Sequence, residues 1–151
     1  MTNAGTVTPD PHDLAAARLR TADQRYTRSR QALIEVLAGA DAPMTVDEIV
    51  ARDDGLALST AYRNLVVFEE CGVVQRIVTA DEHARFELDE VLTERHHHHL
   101  VCSRCGVVLD FTVPDRLEHE LDRALDEVAT SFGFQAEHHR LDLVGRCAAC
   151  R

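Results

Sequence analysis

Residues 95–111 read RHHHHLVCSRCGVVLDF, four consecutive histidines that run directly into a Cys-x-x-Cys pair. Imidazoles and thiolates are the side chains that most often bind zinc and related transition metals in proteins. An expression tag stands at a chain terminus, whereas this run lies in the interior between apolar residues. We therefore interpret the histidines as part of the fold and as candidate metal ligands.

A second Cys-x-x-Cys pair stands near the end of the chain, so two such pairs contain four of the five cysteines: Cys102, Cys105, Cys147 and Cys150. Each pair lets one turn present two sulfurs, and four thiolates suit a tetrahedral zinc ion with no open coordination position. The pattern predicts a structural Zn²⁺ site. Unpaired thiols or two redox-active pairs are the alternative, and Cys71 is predicted to be a small core residue.

The four histidines can serve two sites if residues 96–101 are extended, because successive side chains of a strand point to opposite faces. His97 and His99 then face one way, and His96 and His98 face the other. Candidates to complete the two pairs are Glu87 and Asp110 for the first, and Glu118 and His139 for the second. Mixed histidine and carboxylate ligands suit Fe²⁺, Zn²⁺ or Mn²⁺.

The first half of the chain carries helix signals followed by a hairpin signal. Helices are predicted to start at Asp10-Pro11, near Thr27 with an end at Gly39, at Thr45 in a capping box with Glu48, and at Ser59 with an end at Gly72. Met44 is expected to pack onto Ile49. The segment VVQRIVTADEHARFEL predicts two strands around a polar turn.

Helices followed by a two-stranded hairpin are the order of a winged helix, whose last helix enters the major groove of DNA by its N-terminal end. Tyr62 and Arg63 lie in the first turn of that helix and would face DNA. The alternative is that they are ordinary surface residues of a helical domain.

A second, smaller α+β region is predicted after the segment 89–95, DEVLTER, which we interpret as a hinge linker. HHLVC, VVLDF and HRLDLVG predict strands. A helix is predicted from Pro114-Asp115, with an apolar stripe of Leu117, Leu121, Leu125 and Val128. A region of this size is expected to need a metal ion and a partner subunit to be stable. The predicted domains are thus 1–88, with 1–9 disordered, and 96–151.

Composition sets the outer limits of the function. No apolar run approaches the roughly 20 residues of a membrane span, and the N-terminus lacks a signal-peptide pattern, so we expect a cytoplasmic protein with no membrane partner. The net charge of −10 argues against a nucleic-acid partner, but the stretch Arg18–Arg30 holds five arginines against one aspartate. Such a local basic patch is compatible with DNA binding.

The motifs HHHHLVCSRCG, STAYRNL, RFEL and HHRLDLVGRCAAC, in this order and spacing, resemble the ferric uptake regulator (Fur) superfamily from about Leu14 to Cys150. The resemblance implies a homodimeric metal-dependent transcriptional repressor, with an N-terminal winged helix-turn-helix domain that binds double-stranded operator DNA and a C-terminal dimerisation domain. No small-molecule substrate is implied.

The resemblance also implies a role for each matching residue. The four paired cysteines match the structural zinc site. Glu87, His97, His99 and Asp110 match the regulatory site that joins the two domains, and His96, His98, Glu118 and His139 match an additional site in the dimerisation domain. Tyr62 is implied to contact bases, Arg63 the phosphate backbone and Arg25 the minor groove, and Ser59 and Thr60 belong to the same DNA-contacting motif.

One departure concerns a further regulatory histidine that the family often has just before the third helix, where this chain has Pro43. The site then has fewer ligands, or it borrows one, with His83 and His12 as candidates. RFEL and EHHRLDLVG resemble the peroxide-sensing branch, whose usual hairpin aspartate is Glu87 here. Zinc sensing is equally open, although the regulatory set lacks the cysteine common in zinc sensors.

Three other function classes are weighed against a repressor. A zinc enzyme is disfavoured because HELDR lacks the second histidine of an H-E-x-x-H helix and no H-x-E precedes a Cys-x-x-Cys. A thiol redox switch built on the cysteine pairs is a second possibility. A metal-storage protein is a third, and the helices and hairpin of the first half argue against it.

Overall fold

The computed structural model describes residues 9–151, so most of the disorder predicted for residues 1–9 lies outside the described residues. The elements run in the order α1 (Pro11–Thr21), α2 (Arg28–Ala38), β1 (Met44–Thr45), α3 (Val46–Val50), α4 (Leu58–Glu70), β2 (Val74–Val78), β3 (Ala84–Leu88), α5 (Glu90–Thr93), β4 (His98–Cys102), β5 (Val108–Phe111), α6 (Asp115–Ser131) and β6 (Asp142–Gly145). This is the α+β fold class predicted from the sequence. No helix within residues 9–151 has the length and apolar character needed to cross a membrane.

The first half packs α1–α4 against a small sheet with the strand order β1-β3-β2. The predicted stripe of α2 supplies Leu33, Ile34 and Leu37 to the core, where they meet Leu65 and Phe68 of α4. These side chains are withdrawn from water, and their burial is the main source of stability of this half. The predicted hairpin is present as β2 and β3.

Two helix starts show how well capping was predicted. The capping box is present, since the Thr45 side chain accepts from the Glu48 N–H while the Glu48 carboxylate accepts from the Thr45 N–H. Ser59 as an N-cap is wrong, because α4 begins at Leu58 with Ala57 at the cap and no side-chain cap hydrogen bond. The Ala57 carbonyl accepts the first helical hydrogen bond, from the Ala61 N–H, so Ser59 lies inside the first turn.

The segment 89–95 is not simply an extended linker, because it contains α5. Asp89 caps this turn by accepting from the Val91 N–H, and Leu92 is buried in the core of the first half with 1% of its surface exposed. Arg18 of α1 forms an ion pair with Asp89 and donates to the Gly72 carbonyl. Helix α5 thus occupies Glu90–Thr93 of the segment predicted to be a hinge linker, and the hinge itself stays a prediction.

The second half is built on a sheet with the order β5-β4-β6. Strand β4 pairs antiparallel with β5 and parallel with β6, so it lies at the centre. It begins at His98, which leaves His96 and His97 in the irregular segment just before the strand. Ile77 of β2 packs on Val101 and Val108, so the hairpin of the first half contacts this sheet.

Helix α6 carries the predicted apolar stripe, but none of its residues is buried in the single chain. Leu117, Leu125 and Val128 are exposed, and so are Leu143 and Val144 of β6. A domain on its own rarely leaves so many large apolar side chains in contact with water. The apolar stripe of α6 is consistent with burial against another protein surface.

Candidate metal centres

The four paired cysteines lie together at one end of the second sheet. Register pairs Cys102 with Gly145, so the parallel strand β6 delivers Cys147 and Cys150 to the turn that holds Cys102 and Cys105. Gly106 adopts a left-handed conformation with φ of +72°, which allows the tight turn after Cys105. The sheet topology thus explains how two pairs distant in sequence form one cluster.

The spacing of the sulfurs fits zinc rather than a disulfide. Cys105 Sγ and Cys147 Sγ are 3.7 Å apart. Two sulfurs bound at about 2.3 Å to one tetrahedral zinc ion are separated by about 3.8 Å, which agrees with this distance. The two sulfurs of a disulfide are only about 2.05 Å apart. The N–H groups of Cys105 and Cys147 donate to Cys102 Sγ and lower the pKa of its thiol. A lowered pKa favours the thiolate that a zinc site requires.

A second cluster joins the two halves of the chain. Glu87 of β3 points its carboxylate at two histidines of the second half, with Oε2 3.0 Å from His97 Nε2 and Oε1 3.0 Å from His99 Nε2. Asp110 of β5 lies 3.8 Å from His97 Nε2 and 3.9 Å from His99 Nε2. Register places Asp110 directly opposite His99. We call these four residues the first cluster.

Within the first cluster, the distances from the Glu87 oxygens to His97 Nε2 and His99 Nε2 are those expected of atoms that share an ion, whereas the Asp110 oxygens lie farther out. Ligand atoms held at about 2.1 Å from one ion lie about 3.0–3.4 Å from each other. His99 Nε2 is buried and makes no hydrogen bond within residues 9–151, although Glu87 Oε1 is only 3.0 Å away, so the two atoms are close without the direction of a hydrogen bond. An orphaned buried nitrogen is costly unless another partner satisfies it.

Electrostatics tie these groups together further. The Glu87 carboxylate raises the pKa of His97 to about 9, against the opposing effect of burial. Burial would raise the pKa of Glu87, but the hydrogen bond from His97 and the nearby His99 ring lower it to about 2. Burial raises the pKa of Asp110. Without a metal ion, the cluster therefore holds a protonated His97 against an ionised Glu87.

Three histidines and Glu118 of α6 form what we call the second cluster. Glu118 Oε1 lies 3.0 Å from His96 Nε2 and 3.0 Å from His139 Nε2, and its Oε2 lies 2.9 Å from His98 Nε2. The alternation predicted for residues 96–99 is therefore present, because His96 and His98 face this cluster while His97 and His99 face the first. It holds although the strand itself begins only at His98.

Carboxylates that the sequence analysis missed hold the outward nitrogens of these histidines. Asp142 Oδ1 lies 3.2 Å from His99 Nδ1, Asp122 Oδ1 lies 3.0 Å from His139 Nδ1, and Glu90 Oε2 lies 2.8 Å from His96 Nδ1. Such partners fix the tautomer and orientation of a metal-binding imidazole. Helical spacing from Glu118 points to Asp122. Glu90 carried no sequence signal because its segment was taken for a linker.

Neither histidine suggested for the position near Pro43 lies in the first cluster. His12 is hydrogen-bonded through Nδ1 to the hydroxyl of Tyr26, and His83 is exposed in the hairpin turn. A cavity of about 670 Å³ opens onto the cluster instead, with Asp41 and Ala42 in its wall. The first cluster therefore has four donor residues in the described chain.

Three of the five residues implied to contact DNA line a pocket of about 390 Å³ on the first half. Arg25, Thr60 and Arg63 line it together, and buried Arg30 braces it by donating to the Arg25 carbonyl and to Asn64. Ser59 and Tyr62 do not line the pocket; they are exposed on the same helix, with 55% of Tyr62 accessible. The pocket is basic and open, as a phosphate-binding surface requires.

Comparisons with known proteins agree with this arrangement. The model of the ferric uptake regulator family matches residues 21–144. The chain is 30% identical over 148 residues to the peroxide-responsive repressor PerR of Staphylococcus epidermidis, covering 93% of this chain and 91% of the relative. Among solved structures, the ferric uptake regulator of Vibrio cholerae is 30% identical over 87% of this chain and 98% of its own, with a TM-score of 0.66. The ferric uptake regulator of Pseudomonas aeruginosa, solved with manganese, is 26% identical over 89% and 98%, with a TM-score of 0.70.

Proposed function

Because the chain belongs to the ferric uptake regulator family, we propose that it is a transcriptional repressor whose affinity for operator DNA is set by a metal ion in the first cluster. In this proposal, residues 1–88 form a winged-helix DNA-binding domain, 89–95 contain the hinge, and 96–151 form the dimerisation domain. The relatives are transcriptional regulators, and catalysis has no part in the proposal.

One observation carries the proposal, namely that the donors of the first cluster come from both halves of the chain. Glu87 belongs to the hairpin sheet of the first half, whereas His97, His99 and Asp110 belong to the second. The four donor atoms lie within 4.8 Å of one another. A cation bound there would link the two halves and limit their relative motion.

The chain's own residues explain why such a link would matter for DNA binding. Ile77 packs on Val101 and Val108, a small apolar contact between the halves. Glu87 and His97 add an ion pair across the same junction, but only while His97 carries a proton. Two winged helices of a dimer must meet successive major grooves about 34 Å apart, so a loosely fixed junction populates the binding arrangement only in part.

The three groups of donors suit different roles. Cys102, Cys105, Cys147 and Cys150 offer all-thiolate coordination, which suits a structural Zn²⁺ ion. The first and second clusters offer nitrogen and oxygen, which suit Fe²⁺, Zn²⁺ or Mn²⁺. We assign the first cluster as regulatory and the second, formed by His96, His98, Glu118 and His139, as an additional metal site.

DNA contact is assigned to the N-terminal part of α4 and to the arginine before α2. Arg63 and Arg25 line one basic pocket with Thr60, and we infer that they bind backbone phosphates and the minor groove respectively. Tyr62 and Ser59 project from the first turns of α4 and would reach base edges. The overall charge of −10 then disfavours binding away from this surface.

The exposed apolar side of α6 supports a homodimer. Leu117, Leu125 and Val128 lie on one side of α6, and Leu143 and Val144 of β6 are exposed as well. A twofold interface buries the same patch on both subunits, so a self-complementary apolar stripe suits it.

Peroxide sensing is a second candidate, favoured by the similarity to the peroxide-responsive repressors, which are 31% identical over 146 residues in Staphylococcus aureus. It predicts that hydrogen peroxide abolishes operator binding by the iron-loaded protein while the manganese-loaded protein keeps it. Equal resistance of both forms would leave metal availability as the only signal.

The main proposal is tested by DNA binding of the double variant His97→Ala/His99→Ala. Duplexes are first selected from a randomised pool with metal-loaded protein, and affinity is then measured by fluorescence anisotropy with and without Mn²⁺. The variant should keep its cysteine-bound zinc and its fold but lose stimulation by Mn²⁺. A matched control, His119→Ala/His138→Ala, removes two exposed histidines outside all three groups and should respond as the wild type does. Full stimulation of the first variant would refute the regulatory assignment.

A further inference from the structure

Glu90 contacts residues of both histidine clusters through one carboxylate. Its Oε2 lies 2.8 Å from His96 Nδ1, and its Oε1 accepts a hydrogen bond of 3.3 Å from the His97 N–H. His96 faces the second cluster and His97 faces the first. Because adjacent residues here point in opposite directions, few side chains can reach both.

The position of this carboxylate is fixed by the first half of the chain. Glu90 opens α5, which is capped by Asp89 and anchored by the buried side chain of Leu92. Asp89 is held in turn by Arg18 of α1 and by the side-chain amide of Gln75 of β2. The backbone of Glu90 is thus held in place by contacts with the core of the first half.

We propose that Glu90 is a positioning residue that couples metal occupancy of the second cluster to that of the first. The proposal rests on the proposed function in that both clusters bind metal ions. The proposal adds Glu90, which is not a donor in either cluster, as a direct hydrogen-bonded connection between the two clusters. The route runs from Glu118 through the ring of His96 to Glu90, and from Glu90 to the backbone of His97.

The direction of the coupling follows from hydrogen-bond chemistry. When the Nε2 atom of an imidazole is bound to a cation, its Nδ1–H becomes a stronger donor. His96 then holds Glu90 Oε2 more firmly, which keeps Oε1 on the His97 N–H and steadies the His97 ring towards Glu87. Occupancy of the second cluster should therefore raise the affinity of the first, and the effect must be reciprocal.

The carboxylate is essential to this scheme because each oxygen serves a different donor. A glutamine at this position keeps the length of the side chain but has a single acceptor oxygen, so it can serve His96 or His97 but not both. Glu90→Gln therefore breaks the bridge while leaving α5, its cap and Leu92 in place. The side chain is about one quarter exposed, so the exchange fits without repacking.

A double-mutant cycle tests the coupling directly. Protein that keeps its cysteine-bound zinc is titrated calorimetrically with Mn²⁺ as the wild type, Glu90→Gln, His139→Ala and the combined variant, and the affinity of the first cluster is read in each. His139→Ala removes a donor of the second cluster that touches no residue of the first. We expect it to lower first-cluster affinity about fivefold, the lower end of typical coupling, and to have no such effect alongside Glu90→Gln.

Asp122→Asn is the matched control, because Asp122 also holds a second-cluster histidine but contacts no first-cluster residue. It should weaken the second cluster and leave the coupling intact, as measured by adding His139→Ala to it. Two outcomes would overturn the role of Glu90 but leave the proposed function intact. One is independent binding of two Mn²⁺ ions by the wild type, and the other is an equal effect of His139→Ala with and without Glu90→Gln. Absence of Mn²⁺ binding at both clusters would overturn the proposed function and this inference with it.

Discussion

Lowering the pH from 8 to 6 should weaken metal binding at the first cluster far more than ordinary histidines would allow. The reason is the Glu87 carboxylate, which lies 3.0 Å from His97 Nε2 and raises the pKa of this imidazole to about 9. A metal ion can bind His97 only after the proton on Nε2 has left. Glu87 itself stays ionised over this range, since its pKa is lowered to about 2.

The size of the effect follows from the pKa. With a pKa of about 9, His97 is almost fully protonated at pH 6 and about 0.9 protonated at pH 8, so affinity should fall by about 90-fold between the two. With the ordinary value of 6.5, the fall would be about fourfold and the proton released at pH 8 about 0.03. His99 adds to the difference, because Glu87 raises its pKa also, against the effect of burial.

The assay is calorimetric titration with Mn²⁺ at pH 6, 7 and 8, each in two buffers of different ionisation enthalpy, which gives both the affinity and the number of protons released. The matched variant is Glu87→Gln, which lacks the carboxylate that raises the histidine pKa and should show only the shallow pH dependence of an ordinary histidine. NMR titration of the His97 ring in protein without Mn²⁺ measures the pKa directly.

A wild-type affinity that changes less than tenfold between pH 6 and pH 8, with little proton release at pH 8, would refute the reasoning.

The ion pair between Glu87 and His97 also affects the stability of the protein before metal binds. A raised histidine pKa stabilises the folded state fully below about 6.5, and this contribution is lost as the pH rises through about 9. Protein without Mn²⁺ should therefore lose thermal stability between pH 7 and pH 10, and Glu87→Gln should show less of this loss.

Three further predictions concern the other sites. Cys102→Ser should lose the structural zinc and lower Tm by roughly 10 °C. Cys71→Ser lies outside the cluster and should keep its zinc; equal zinc content in the two variants would contradict the assignment. Leu125→Asp on the apolar face of α6 should convert the dimer to a monomer in sedimentation velocity, and a variant of the opposite face, Arg123→Glu, should not; a dimeric Leu125→Asp protein would exclude this face as the interface. Arg63→Ala should weaken binding to all duplexes and reduce the slope of log affinity against log salt by about 1, and an unchanged slope would remove Arg63 from the phosphate contacts.

Local signals were sufficient for much of the fold. Thr45 and Glu48 predict the start of α3 because both hydrogen bonds of the capping box form within four residues. The polar turn between two β-rich runs predicts β2 and β3 because the two strands are close together in the sequence. The alternation of the four histidines was predictable because it depends only on the period of an extended chain. These features need no knowledge of distant contacts.

Features that depend on distant contacts were missed or wrong. Strand β1 exists only because Met44 pairs with Phe86, some forty residues away. Ser59 resembled a cap in the sequence, but α4 begins at Leu58, just after the buried Leu56. Segment 89–95 was interpreted as a linker because most of its residues are polar, and nothing in this local pattern indicates that Leu92 is buried in the core. The second ring nitrogens of the histidines found carboxylates from three different elements, which no local pattern specifies.

The parallel strand β6 connects the cysteine cluster to His99 of the first cluster. Its first residue, Asp142, steadies His99, and its last, Gly145, lies two residues before Cys147. An oxidant that expels zinc from the sulfurs would free the end of this strand and withdraw the brace from His99, without altering any histidine chemically. Under the proposed function, loss of zinc from the cysteines would weaken ion binding at the first cluster, and operator binding would fall with it.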